Sequence, residues 1–235
     1  MNTITTLCIL VTVAWCQASH LTQDSPLYPA RCASDPCIGI NFTDASYICG
    51  DRRLGPVSTP SDFPLSTELQ TYARFGNLCP YEFLSKWTAA DGNYSQPPEN
   101  GFVLSTTPAG KPILGNTTLP VGQKLDRFGS EFGTFMSPLG APYIERSLPP
   151  QNLDTSDGRY PYNYHVYQIT KAIPVQIGPI APWYEQPGMG TQFVMPSRVI
   201  DLVNNGYLRR LSPAEYDDRS DFVDDYTPGP LNITS

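Results

Sequence analysis

The sequence predicts an α+β protein, a β-rich C-terminal domain preceded by a small, disulfide-stapled and partly helical N-terminal one. Two observations carry this. From Gly101 onward, short β-like runs (FVLST, PILGNTTL, YNYHVYQIT, IPVQIGPIAPWY, GTQFVMP) are separated by Pro and Gly. Ahead of them, Cys32, Cys37, Cys49 and Cys79 all fall in the first third of the chain. The 25 Pro and 18 Gly make loops abundant, while 14 Tyr, 10 Phe and 3 Trp supply enough apolar surface for a packed core. The change of texture puts a boundary near residues 110 to 120. The expected organisation is a leader over 1–18, an N-terminal domain over 19–115, a β-rich domain over 116–212 and an acidic segment over 213–235.

The leader, MNTITTLCILVTVAWCQAS, has a short polar start, an apolar stretch from Leu7 to Trp15 and small residues at Ala18 and Ser19. That is the pattern of a secretory signal, too short for a membrane anchor, and no later stretch reads as an integral membrane segment. Four cysteines in an oxidising compartment imply two disulfides. Three pairings can be drawn, and the expected one joins nearest neighbours, Cys32 to Cys37 and Cys49 to Cys79. A zinc site is the weaker reading, since His20 and His165 are the only histidines. Sequons at Asn41, Asn93, Asn116 and Asn232 fit a secreted glycoprotein.

Helical signals are few. In TELQTYARFG, Leu69, Tyr72 and Ala73, with Phe75 at the edge, share a face and Gly76 stops the run. YEFLSKWT is a second short candidate, and SRVIDLVNNG a third that ends at NNG before a short strand. The stretch DRFGSEFGTFMSPLG, with Gly129, Gly133 and Gly140 and no clean alternation, fits neither a helix nor an ordinary strand.

Several function classes are excluded by what is missing. A net charge of -7, with 15 Lys and Arg and no basic run, is a poor match to nucleic acid. There is no GxSxG elbow, no GxGxxG after a strand and no phosphate loop. His165 would be the single histidine base inside the fold, and its place in an alternating strand reads as structural or solvent-facing. What remains are arginines beside aromatics in Gly-rich settings: Arg127 with Phe128, then Phe135, then Arg146 in YIERSLPP. A guanidinium fork suits phosphate and an aromatic face suits a flat heterocycle. Taken singly, they fit a surface Asp126–Arg127 ion pair and ordinary core phenylalanines better than a binding site. Gln192, after PGMG, is an amide that can donate and accept at once.

Taken together, KLDRFGSEFGTFMSPLGAPYIERSLPP and PVQIGPIAPWYEQPGMGTQFVMP resemble the signature of the TNT domain, named for the tuberculosis necrotizing toxin. In that family DRFG, G-x-F-x-SP-x-G, R-x-LPP and PWF-x-QPGGG-x-Q-[YF] recur in this order. The resemblance covers roughly residues 118 to 212, and a leader plus a cysteine-containing N-terminal segment make the whole similar to the fungal conidial-surface NADases. It implies a thumb-like N-terminal region and hydrolysis of NAD, and of NADP, to nicotinamide and an ADP-ribose product. It further implies a homodimer, no redox cofactor and a secreted or cell-surface location. By motif, Gln192 is the central catalytic residue, Arg127 and Arg146 hold pyrophosphate or ribose, and Phe128 or Phe135 stacks on nicotinamide. Calcium, structural or regulatory, is implied near Asp217 and Asp218, although the residues alone read as a solvated loop. PGMG for PGGG is a departure, Phe193 stands where the pattern takes Tyr or Phe, and no histidine in ERSLPPQNL matches the toxin members, which argues against an antitoxin partner. A non-enzymatic surface binder is the alternative reading, and transfer of ADP-ribose to a protein ranks last.

Overall fold

The computed structural model describes residues 28–29, 31–32, 35–155 and 159–216. The leader, the sequon at Asn232 and the calcium candidates Asp217 and Asp218 lie outside the described residues.

The chain's centre is a seven-stranded sheet in the order β1-β5-β6-β3-β2-β4-β7, with every pairing antiparallel. The strands are β1 (Gly115–Leu119), β2 (Lys124–Phe128), β3 (Phe135–Pro138), β4 (Tyr164–Ile169), β5 (Ile173–Pro179), β6 (Thr191–Val194) and β7 (Leu208–Leu211). Alternation sends Leu125, Met136, Tyr167, Ile169 and Phe193 into the main core, where Val199 and Leu202 of α3 (Val199–Asn204) cover them. The opposite face of β2 and β4 buries Phe128, Tyr164 and Val166 with Tyr143 and Leu153. Within DRFGSEFGTFMSPLG, then, Asp126 to Phe128 and Phe135 to Pro138 are strands after all. The pattern is hidden because each contributes only a few residues, and the intervening loop over 129–134 interrupts the period.

The N-terminal region has α1 (Leu65–Glu68) and α2 (Pro80–Trp87). The helix expected through Gly76 stops at Glu68. Leu65, Leu69 and Tyr72 pack on the Phe128 cluster, whereas Phe75 belongs to a separate aromatic cluster with Phe83 and Tyr94, and one straight helix face cannot serve both. That second cluster also takes in Tyr184 and Trp183 from the turn before β6.

The disulfides are Cys32–Cys79 and Cys37–Cys49, which corrects the nearest-neighbour expectation. Cys79 caps the start of α2, so the first pair fastens the chain's early segment to that helix, where Arg31 also meets Glu82 at 2.6 Å. Sequence distance could not reveal which sulfurs the packing of α2 brings together.

The first pair closes a loop with a separation of 47 residues and the second one of 12. Loop-closure entropy then predicts that C32S/C79S costs about 4 kcal/mol and C37S/C49S about 3 kcal/mol. Urea denaturation of the two double variants should show the first as the more destabilised.

Candidate active site

Strand alternation places Asp126 and Phe128 of β2, Phe135 and Ser137 of β3, and Gln192 of β6 toward one face. There they line a narrow cleft with Arg127 and Arg146, so all five motif residues meet. The cleft encloses about 40 Å³, little more than one water's share of liquid volume, about 30 Å³. A larger cavity of about 640 Å³, between residues 59–65, 159–166 and 210–216, contains none of the motif residues.

The two arginines differ in their electrostatics. Arg146 is buried and bound to two carboxylates: Nη1 donates to Asp126 Oδ1 at 2.5 Å, and Nη2 to Asp126 Oδ2 at 2.9 Å and to Glu68 Oε2 at 3.2 Å. Its Nε and Nη2 also donate to the Ala141 carbonyl. Asp126 additionally accepts from the Gly140 amide and the Tyr164 hydroxyl, so the Asp126–Arg127 pair expected at the surface is absent and Asp126 is fully buried. Among the described residues Arg127 donates to carbonyls alone, Nε to Ser130 O at 2.8 Å and Nη1 to Phe135 O at 2.6 Å. Among the described residues it has no ion-pair partner. Burial holds its pKa below the ordinary arginine value, although the group stays charged. Gly133 makes the space, for a Cβ there would lie 2.1 Å from Arg127 Nη2.

Glu68, from α1, has its carboxyl pushed up to about 8, first by burial and then by the Asp126 charge, against the opposing pull of Arg146. The hydrogen bonds agree with a protonated Glu68. The Tyr164 hydroxyl lies 2.9 Å from Glu68 Oε1 and 3.0 Å from Asp126 Oδ2, and one hydroxyl proton cannot serve both oxygens.

The aromatic residues also divide. Phe128 is 2% exposed, set edge-on to Tyr143 and under the Arg146 guanidinium, so its ring is committed to packing. Phe135 is 37% exposed. Gln192 is buried, its Nε2 donating to the Asn100 carbonyl at 2.8 Å, which leaves Oε1 as the acceptor with no donor among the described residues. Asn100 itself takes a positive φ of 57° to present that carbonyl. The turn ahead of Gln192 keeps Met189 at φ 72°, so the departure from PGGG sits at a left-handed position, while Gly190 is needed for space: a Cβ would stand 2.8 Å from the Glu145 carbonyl oxygen. His165 is buried between Tyr160 and Tyr167, and its Nε2 is 3.2 Å from Asn163 Oδ1.

The family model described as tuberculosis necrotizing toxin (TNT) matches residues 118–211. A protein of Aspergillus fumigatus, the conidial surface nicotinamide adenine dinucleotide glycohydrolase nadA, is 64% identical over 212 residues, spanning 89% of each chain. The chain belongs to the TNT family. Among solved structures, the tuberculosis necrotizing toxin complexed with its immunity factor is 18% identical, with a TM-score of 0.36 over 74% of this chain and 86% of that one. Rhs1-CT in complex with its cognate immunity protein is 11% identical, with a TM-score of 0.32 over 50% of this chain and 84% of that one.

Residues outside the matched span also shape the cleft. Glu68 and Asn100 belong to the N-terminal region, and reading the sequence did not single them out. Asn100 acts through its backbone, which leaves no residue signature. Asp126 was visible inside DRFG, but only its burial reveals its role.

Two outcomes follow. Because the folded Glu68 pKa lies above the unfolded value, the folded state holds the extra proton, and stability falls as pH rises from about 4.5 to about 8. Urea midpoints measured across that window should decline in the wild type more steeply than in E68Q. In G133A the guanidinium of Arg127 must move, and turnover should drop roughly a hundredfold while the thermal midpoint changes little.

Proposed function

We propose that this protein is a secreted NAD glycohydrolase, cleaving the bond between nicotinamide and ribose to release nicotinamide and ADP-ribose. The observation that carries this reading is the meeting, in one cleft of a TNT-family chain, of Arg127, Phe135 and Gln192: among the described residues the arginine has no ion-pair partner and the amide oxygen no donor, and the phenylalanine is partly exposed.

Nicotinamide leaves as a neutral molecule, taking the C1′–N electron pair, so no general acid is required. The barrier lies in the oxocarbenium-like cation at C1′, and a water oxygen then forms the new bond to C1′ and releases its proton to bulk solvent. Gln192 Oε1 is the group that accepts from a ribose hydroxyl or the attacking water. Arg127 holds the pyrophosphate. Arg146, spent on Asp126 and Glu68, is a positioning residue for the cleft. Asp126 has both oxygens occupied by Arg146, Tyr164 and Gly140, so it is unsuited to act as a nucleophile, which favours water over a covalent glycosyl-enzyme. The cleft is too small for a nicotinamide ring as it stands. Phe135, at the start of β3 and partly exposed, is the wall that swings out and stacks on the ring.

The expected leader and the two disulfides support secretion and a place at the cell surface. Asn41, Asn93 and Asn116 are exposed, as glycosylation requires. NADP as a second substrate, a homodimeric state and calcium at Asp217 and Asp218 complete the reading.

Purified protein incubated with etheno-NAD should give a rising fluorescence signal that Q192A reduces by at least about a hundredfold with the fold intact. Binding of NAD without turnover would select a non-enzymatic binder instead, and radiolabel appearing on a second protein would select a transferase.

A further inference from the structure

Beside the motif cleft lies a polar cavity of about 350 Å³, and Arg127 stands in the wall of both. Arg52, Ser130, Asn152, Asp154 and Asn163 form most of the remainder, and among the described residues no aromatic ring contributes. Arg52 comes from the N-terminal region, outside the span matched by the family model. It sits in the turn Arg52–Leu54, packed against the turn Pro150–Leu153 so closely that a Cβ on Gly55 would lie 2.6 Å from the Pro150 carbonyl oxygen.

The donors and acceptors here are only half used. Arg52 Nε donates to Asp154 Oδ2 at 2.7 Å, while its side chain is 63% exposed and both Nη groups have no partner among the described residues. The Asp154 side chain is 4% exposed, and its Oδ1 is buried without a hydrogen-bond partner among the described residues. A buried carboxylate oxygen left in this state is costly, and a hydroxyl donor would relieve it. Arg127 Nη2 likewise has no partner among the described residues. Two guanidinium groups with free N–H bonds suit a phosphate, and a carboxylate fixed beside them suits a ribose hydroxyl. The lack of a ring on the walls disfavours a stacked base.

Resting on the NAD-splitting reading, we propose that this cavity is the subsite for the ribosyl-phosphate portion of the ADP-ribose moiety, with Arg52 as a substrate-binding residue that the N-terminal region supplies to the catalytic sheet. Asp154 orients the Arg52 fork through Nε and takes a ribose hydroxyl. The dinucleotide then runs from this cavity, past Arg127 in the shared wall, to the cleft where nicotinamide departs.

The test is steady-state NAD hydrolysis by the full chain, with product inhibition by ADP-ribose and by nicotinamide measured separately. In R52A the KM for NAD should rise about tenfold with kcat within about twofold. Inhibition by ADP-ribose should weaken by the same factor, while inhibition by nicotinamide stays unchanged. Unchanged KM and ADP-ribose inhibition would overturn the assignment, as would equal weakening of inhibition by both products, which marks general distortion. If R52A does not fold, R52K carries the test. It keeps a cation beside Asp154 but loses the fork, so ADP-ribose inhibition should weaken several-fold, and no change would count against the subsite. Absence of turnover in the wild type would overturn the NAD-splitting reading and this one with it; normal kinetics in R52A alone would overturn only this one.

Discussion

The buried ion cluster of Arg146 with Asp126 and Glu68 is the interaction on which the rest of the architecture rests. It joins three parts of the chain that are remote in sequence: β2, the turn after β3, and helix α1 of the N-terminal region. A guanidinium removed from water is tolerable only when its donors are met, and here carboxylates and the Ala141 carbonyl meet nearly all of them. Removing Arg146 or Asp126 leaves a buried charge unpaired, and Glu68 adds a hydrogen bond from α1, so the cluster acts chiefly to specify a single docking of α1 against the sheet. Glu68 resolves the excess of negative charge by holding its proton.

That docking brings two other N-terminal groups to the sheet. The Asn100 carbonyl fixes one end of the Gln192 amide, and Arg52 reaches Asp154. The N-terminal region is therefore more than a cover. It sets the orientation of one cleft residue and forms a wall of the neighbouring cavity. The aromatic cluster of Phe75, Phe83 and Tyr94 with Tyr184 makes the same junction apolar and stiff, just ahead of the turn that leads into β6.

Two arginines from the same motif set come to differ because of their neighbours. Arg146 is neutralised by carboxylates, whereas Arg127 is held by carbonyl oxygens, which orient a guanidinium without cancelling its charge. The residue left positive is the one shared by the cleft and the polar cavity. Gly133 supports this by absence, since any side chain would occupy the volume the guanidinium takes.

The sequence by itself determined the strands β4, β5 and β6, helices α2 and α3 and the stop at Gly206, because these depend on local period, caps and breakers. It also determined that Arg127, Phe135, Arg146 and Gln192 form one group, since separate motifs in a shared order are a one-dimensional signal. The tertiary structure alone decided the disulfide pairing, the early stop of α1, the burial of Asp126 and Phe128, and the approach of Arg52 and Asn100. Each of those depends on groups dozens of residues apart competing for the same volume or the same hydrogen bond. Such competition is settled by packing in three dimensions, where neither spacing nor composition reports it.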